Sequence, residues 1–193
     1  MTMQRIKLPG PWRYGIALDL HTISSTHLDA GGFKTQRTPI GEALYQLKYR
    51  ANLAQIEPIA DAAATQLRSW RVFPYLRALI PVPPSNLDRP FQPVFVLAQA
   101  IGQRTDLAVP FDYCYKTQTT PALKDLENPV LRQQALAHTL AIRDLRYAGQ
   151  SVVIFDDLYR SGTSLKAVYN ALISQGQVGR VYALTITMTR TKQ

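Results

Sequence analysis

The chain has 193 residues, 46% of them hydrophobic, with one cysteine and a formal net charge of +9. This is enough chain and apolar material for one ordinary globular core. A lone Cys114 excludes an internal disulfide and a thiolate zinc site, and no run approaches the ~18 apolar residues of a membrane span. The opening residues, with Arg5, Lys7 and Pro9-Gly10-Pro11, lack the apolar core of a signal peptide, so a cytoplasmic location is expected. Lys and Arg are spread along the chain with no dense basic run. That distribution fits a general positive field attracting an anionic substrate better than a dedicated nucleic-acid surface.

Taken in chain order, residues 14–20 predict a strand and 21–27 a polar stretch. Residues 41–53 read as an amphipathic helix with Leu44, Leu47 and Ala51 on one face; Lys48 and Tyr49 fit its wet edge. An alanine-rich run over 56–70 predicts a second helix, with Pro58 in its first turn. Residues 78–82 form a short apolar strand closed by Pro83-Pro84-Ser85, and 93–101 a helix ended by Gly102. Residues 109–115 include a candidate strand holding Cys114 as a buried, inert thiol, and 128–142 predict a helix entered through Pro129. His21, His27 and His138 have no metal-ligand spacing. A last strand spans 181–189. Strands alternating with helices predict an α/β fold with a doubly wound, mostly parallel sheet.

The run 151–164 carries the chemistry. Val152 to Phe155 is an apolar tetrad suited to a strand buried on both faces, followed by Asp156 and Asp157 where the strand leaves the sheet. A small polar turn, Arg160-Ser161-Gly162-Thr163-Ser164, then opens a helix with Leu165, Val168, Tyr169, Leu172 and Ile173 on one stripe. A helix start offers unpaired N–H groups and a positive dipole end to a phosphate, and Gly162 lets the backbone come close. The carboxylates would repel that phosphate, so their natural partners are ribose hydroxyls or the water shell of Mg²⁺. A ribose 5-phosphate therefore suits the spacing. An Asp-Asp turn that only caps a helix accounts for Ser161 or Thr163 but not for the whole strand–acid–loop–helix unit.

Val152 to Ser164 resembles the signature of type I phosphoribosyltransferases, in which apolar residues and two acids precede Thr-Thr-Gly-Gly/Ala-Thr. Asp156, Asp157 and Gly162 match it, Ser161 and Ser164 replace threonines, and Arg160 and Thr163 depart from it. The helix around Leu47-Lys48-Tyr49 resembles that of the ComF, competence-associated branch, without the branch's four-cysteine zinc module. The resemblance implies phosphoribosyl pyrophosphate (PRPP) as ligand. Arg160 to Ser164 would hold the 5-phosphate, and Asp156 and Asp157 the ribose diol and Mg²⁺ through water. Pro83, Pro84, Ser85 and Arg89 would form a pyrophosphate loop, and Lys116 with Lys124 would be cations of a catalytic loop over 115–128.

The resemblance further implies a single domain, with residues 1–40 as a small N-terminal hood or extension and 41–193 as the core. The implied activity is phosphoribosyl transfer from PRPP to an unidentified acceptor, releasing pyrophosphate. The alternative is a catalytically inactive PRPP-sensing or nucleic-acid-binding protein of the same fold, for example in DNA uptake. A second copy of the chain is a further partner, because related folds frequently dimerise; no membrane is expected.

Overall fold

The computed structural model of the protein describes residues 3–27, 33–84, 91–117 and 139–190. Its centre is a five-stranded sheet in the order β1 (Ile6–Lys7), β2 (Gly15–Leu20), β9 (Arg180–Met188), β8 (Ser151–Tyr159), β5 (Leu76–Pro81). All neighbours are parallel except β1 and β2. A single parallel bridge from Ala78 to Ala108 carries the sheet one step past β5. The parallel, doubly wound character expected from the alternation of elements is present.

Period-two alternation sends each central strand's residues into two apolar layers. Ile16, Leu18, Leu79, Val153, Phe155, Leu184 and Ile186 face one layer. It is filled by α1 (Pro39–Arg50), α2 (Ile56–Arg68) and α3 (Pro93–Thr105). Ala17, Ile80, Val152, Ile154, Val181 and Ala183 face the other, which holds α4 (Thr163–Ser174), the ribbon of β6 (Cys114–Lys116) and β7 (Leu140–Ile142), and Leu8 and Trp12.

Several boundaries differ from expectation. The polar stretch after β2 is a strand, β3 (Thr22–His27), paired with β4 (Phe33–Arg37) in a separate ribbon whose β3 residues are largely exposed. With both faces wet, it has no apolar alternation to read. Within residues 1–40, β1 and β2 belong to the main sheet. Helix α3 runs through Gly102 and stops at Asp106, which takes the left-handed conformation with φ 59. A glycine inside a helix costs about 1 kcal/mol and does not by itself end it. Leu140–Ile142 is strand, not helix; the rest of the helix expected over 128–142, up to residue 138, lies outside the described residues.

Candidate functional site

Strands β5 and β8 are parallel neighbours, yet the helices that follow them pack on opposite faces of the sheet, α3 in one layer and α4 in the other. Such a reversal opens a crevice beyond the carboxyl ends of the two strands. Here β5 leaves the ladder first: its last register pair is Pro81 with Phe155, and Val82 N–H donates to the Phe155 carbonyl at 2.8 Å. Strand β8 continues beside β9 through Asp156–Thr185, Leu158–Thr187 and Tyr159–Met188. The two acids are thus not where β8 leaves the sheet, as the sequence suggested, but within a strand whose β5 side has become free.

Their neighbours follow from alternation. Asp156 continues the Val152–Ile154 side toward the α4 layer, and Asp157 the Val153–Phe155 side toward α1. Asp156 Oδ1 accepts from the Asp157 N–H at 2.8 Å. Burial, then the charge of Asp157, pushes the Asp156 carboxyl well above the usual range. Asp157 is buried and forms an ion pair with Lys48 Nζ at 2.7 Å, their side chains 8% and 16% exposed. Lys48 is therefore not on a solvated helix edge. It stands four residues after Leu44, on the buried stripe of α1, and a charged residue on that stripe is the signal that reveals it.

Helix α1 reaches this position because its start is pinned to the end of β2. Thr38 caps it by accepting from the Gly41 N–H at 3.0 Å, and its hydroxyl donates to the Leu20 carbonyl at 2.5 Å. A side chain at Gly41 would run into the His21 carbonyl. His21 Nδ1 lies 3.2 Å from Thr187 Oγ1. Burial, and then the positive charges of Arg37 and Lys48, hold its imidazole below the ordinary value of 6.5, against the opposing effect of Asp157. Sequence reasoning treated His21 as an ordinary residue, since nothing local marks a histidine whose charged neighbours come from three other elements.

After Tyr159 the chain turns through Arg160, Ser161 and Gly162 into α4. Gly162 caps the helix with φ 76, lying over the Tyr159 ring so closely that a Cβ would come within 2.5 Å of Tyr159 Oη. Tyr159 is itself held by a hydrogen bond from its hydroxyl to the Pro9 carbonyl at 2.9 Å. The helix has no side-chain cap. The first N–H groups, those of Thr163 and Ser164 among them, have no intrahelical partner and lie at a helix start that favours anions. Ser161 and Thr163 hydroxyls stand 2.8 Å apart, with Arg160, Ser161 and Ser164 exposed.

Asp156, Asp157 and the Arg160–Ser164 turn thus lie at the carboxyl end of β8, and Pro83 and Pro84 follow the carboxyl end of its neighbour β5. Lys116 ends β6 in the α4 layer; it is half-buried, desolvation lowers its ammonium pKa, and it makes no ion pair with the acids among the described residues. Ser85, Arg89 and Lys124 lie outside the described residues. Among the described residues no three His, Cys, Asp or Glu side chains gather to hold a metal ion. The donor set of two carboxylates is too small for a protein cage but fits Mg²⁺ that arrives on substrate phosphates and keeps its waters. No described helix is long and apolar enough to cross a membrane.

No protein-family model and no curated protein matches the chain. Among solved structures it is similar to the adenine phosphoribosyltransferase of Thermoanaerobacter pseudethanolicus, at 16% identity over 86% of this chain and 95% of that one, with TM-score 0.45. It is similar to the orotate phosphoribosyltransferase of Francisella tularensis at 12% identity over 86% and 75% of the two chains, with TM-score 0.41. The likeness to the UMP synthase of Leishmania donovani, at 16% identity and TM-score 0.40, covers 86% of this chain but only 27% of that longer one. At these identities, what the chain has in common with them is the α/β fold.

Proposed function

We propose that the protein is a phosphoribosyltransferase of the type I kind that binds PRPP in the β5–β8 crevice and transfers its phosphoribosyl group to an acceptor nitrogen. The observation that carries this reading is the reversal of helix sides between β5 and β8, with an acidic strand end and an uncapped helix start on the same margin. In this reading the backbone of residues 161–164 and the hydroxyls of Ser161, Thr163 and Ser164 receive the 5-phosphate. Asp156 and Asp157 accept from the ribose diol. Pro83 and Pro84, with Ser85 and Arg89, border the pyrophosphate, and Lys116 is its candidate cation.

Asp156 and Asp157 would be the residues to hold Mg²⁺, which would supply charge neutralisation for the pyrophosphate. The bond from the anomeric carbon to the pyrophosphate oxygen breaks and its electron pair leaves with pyrophosphate. The acceptor's nitrogen lone pair forms the new bond. The chain's own contribution is to align the sugar and offset charge on the ring as it develops, more than to move protons. The ComF-like assignment rests on the α1 segment around Lys48 and on the signature over 152–164.

A second reading, a PRPP-responsive nucleic-acid-binding protein, is favoured by the β3–β4 ribbon. It rises directly after β2, and residues 22–27 and 34–37 include Lys34 and Arg37 but no acid. Calorimetry with Mg-PRPP, an acceptor screen for pyrophosphate release, and a DNA gel shift with and without PRPP test both together. The enzyme reading expects PRPP binding that Asp156→Asn and Asp157→Asn each weaken at least about tenfold, as loss of a charged hydrogen-bond partner should. PRPP binding that ignores both substitutions sinks it. Binding without turnover, beside a salt-steep gel shift, favours the second reading.

A further inference from the structure

A PRPP site must balance two demands of opposite sign. Ribose hydroxyls need carboxylate acceptors, whereas pyrophosphate is repelled by them and needs cations close by. The sequence supplies candidate cations in Lys116, Arg89 and Lys124; of these only Lys116 is among the described residues, and there it makes no ion pair with the acids. Among the described residues, the cation paired with Asp157 comes from α1. Lys48 Nζ lies 2.7 Å from Asp157 Oδ2, and its side chain remains 16% exposed.

An ammonium carries three donors, and Asp157 takes one of them. No other acceptor for Lys48 occurs among the described hydrogen bonds and ion pairs. A mostly buried ion pair is a poor source of stability, since desolvation offsets much of the attraction. Lys48 is also well anchored for a binding role. Its helix is fixed at the start by Thr38, and Ile40, Gly41, Leu44 and Leu47 are buried beneath it. Arg37, itself paired with Glu42 at 3.1 Å, and Arg160 are further positive charges that act on His21 beside Lys48.

We propose that Lys48 is a ligand-binding residue of the same crevice, donating to an anionic oxygen of the pyrophosphate group of PRPP while it holds the Asp157 carboxylate toward the ribose. This rests on the PRPP reading above. It makes α1 a wall of the binding site, and it lets one side chain serve the two demands together: it orients the sugar acceptor and offsets the charge of the leaving group.

Inorganic pyrophosphate with Mg²⁺ is the discriminating probe, because it lacks the ribose that Asp157 would hold. Calorimetric titration of wild type, Lys48→Met, Lys48→Gln, Lys48→Arg and Asp157→Asn is expected to show pyrophosphate binding weakened about 10- to 100-fold in the Met and Gln variants and largely retained in the Arg variant. Asp157→Asn should keep or tighten pyrophosphate binding while weakening PRPP. Lys48→Gln retains a donor toward Asp157 and provides a folded variant should Lys48→Met unfold; thermal melts verify the fold of each. If the Met and Gln variants bind pyrophosphate like wild type while wild type binds PRPP, Lys48 only props Asp157 and the proposal falls alone. If wild type binds neither ligand, the PRPP reading falls and takes this proposal with it.

Discussion

Asp156 and Asp157 are adjacent in sequence, but the pleat of β8 gives them different surroundings. Asp157 has a cation at hydrogen-bond distance, whereas Asp156 accepts from a backbone N–H beside a neighbouring negative charge and feels Lys48 only as the weakest of the effects on it. Burial and that charge raise the Asp156 carboxyl above its ordinary 3.8. A carboxyl that keeps its proton more tightly in the folded chain than in the unfolded one contributes most below its ordinary value, and its contribution is lost as pH rises through the folded value. Asp156→Asn removes that loss while keeping an oxygen for the Asp157 N–H. The variant is expected to melt above wild type at neutral and alkaline pH, with the gap closing as pH falls toward 3.8. Thermal denaturation across pH checks this, and an equal or lower melting temperature at alkaline pH contradicts it. The same variant should bind PRPP more weakly, the ordinary trade of stability for function at a binding site.

At the scale of elements, the placement of α1 depends on a small contact. Thr38 is buried, caps α1 through the Gly41 N–H, and donates to the Leu20 carbonyl. Thr38→Ala removes the cap and leaves the buried Gly41 N–H and the partly buried Leu20 carbonyl without this partner, so a loss of about 1–2 kcal/mol is expected in urea unfolding. A change below about 0.5 kcal/mol would show that α1 is held by its apolar face alone. The elements that could be read in the sequence are those whose pattern is local. The apolar tetrad Val152–Phe155 announced β8, and the stripe from Leu165 to Leu172 announced α4. The continuation of β8 through the acids could not be read, because charged residues normally mark a strand's exit and here pair with β9 instead. Strand β3 was hidden by its two wet faces. Lys48 was visible only as a lysine on an apolar stripe, its partner 109 positions onward in the chain. The turn at 160–162 was legible as a turn into α4, but the positive φ of Gly162 was not read from the sequence.

For the molecule as a whole, the excess of basic residues is a property of the field and not of one patch. With a formal charge of +9, a polyanion such as PRPP should be drawn in from beyond contact distance. Ionic strength shortens that reach, from ~10 Å at 0.1 M salt to ~3 Å at 1 M. The affinity for Mg-PRPP is therefore expected to fall several-fold, with most of the change in the association rate, between low salt and about 0.5 M; stopped-flow binding measures both. A salt-independent association rate would assign attraction to the crevice residues alone.

The order of strands also sets the sequence of events by which the molecule is made. β9 lies in the middle of the sheet, between β2 and β8, yet it is the last of the five strands along the chain. Gly15 pairs with Ala183, so β2 must wait for a neighbour that lies far along the chain. On a ribosome, β2 emerges long before β9 and remains unpaired on that side, and β8 acquires its second neighbour only when β9 follows. Contacts so far apart in sequence form slowly and leave strand edges open in the meantime. Until β9 closes the sheet those edges are open to wrong pairing, and Asp156 takes its place opposite Thr185 only at that step.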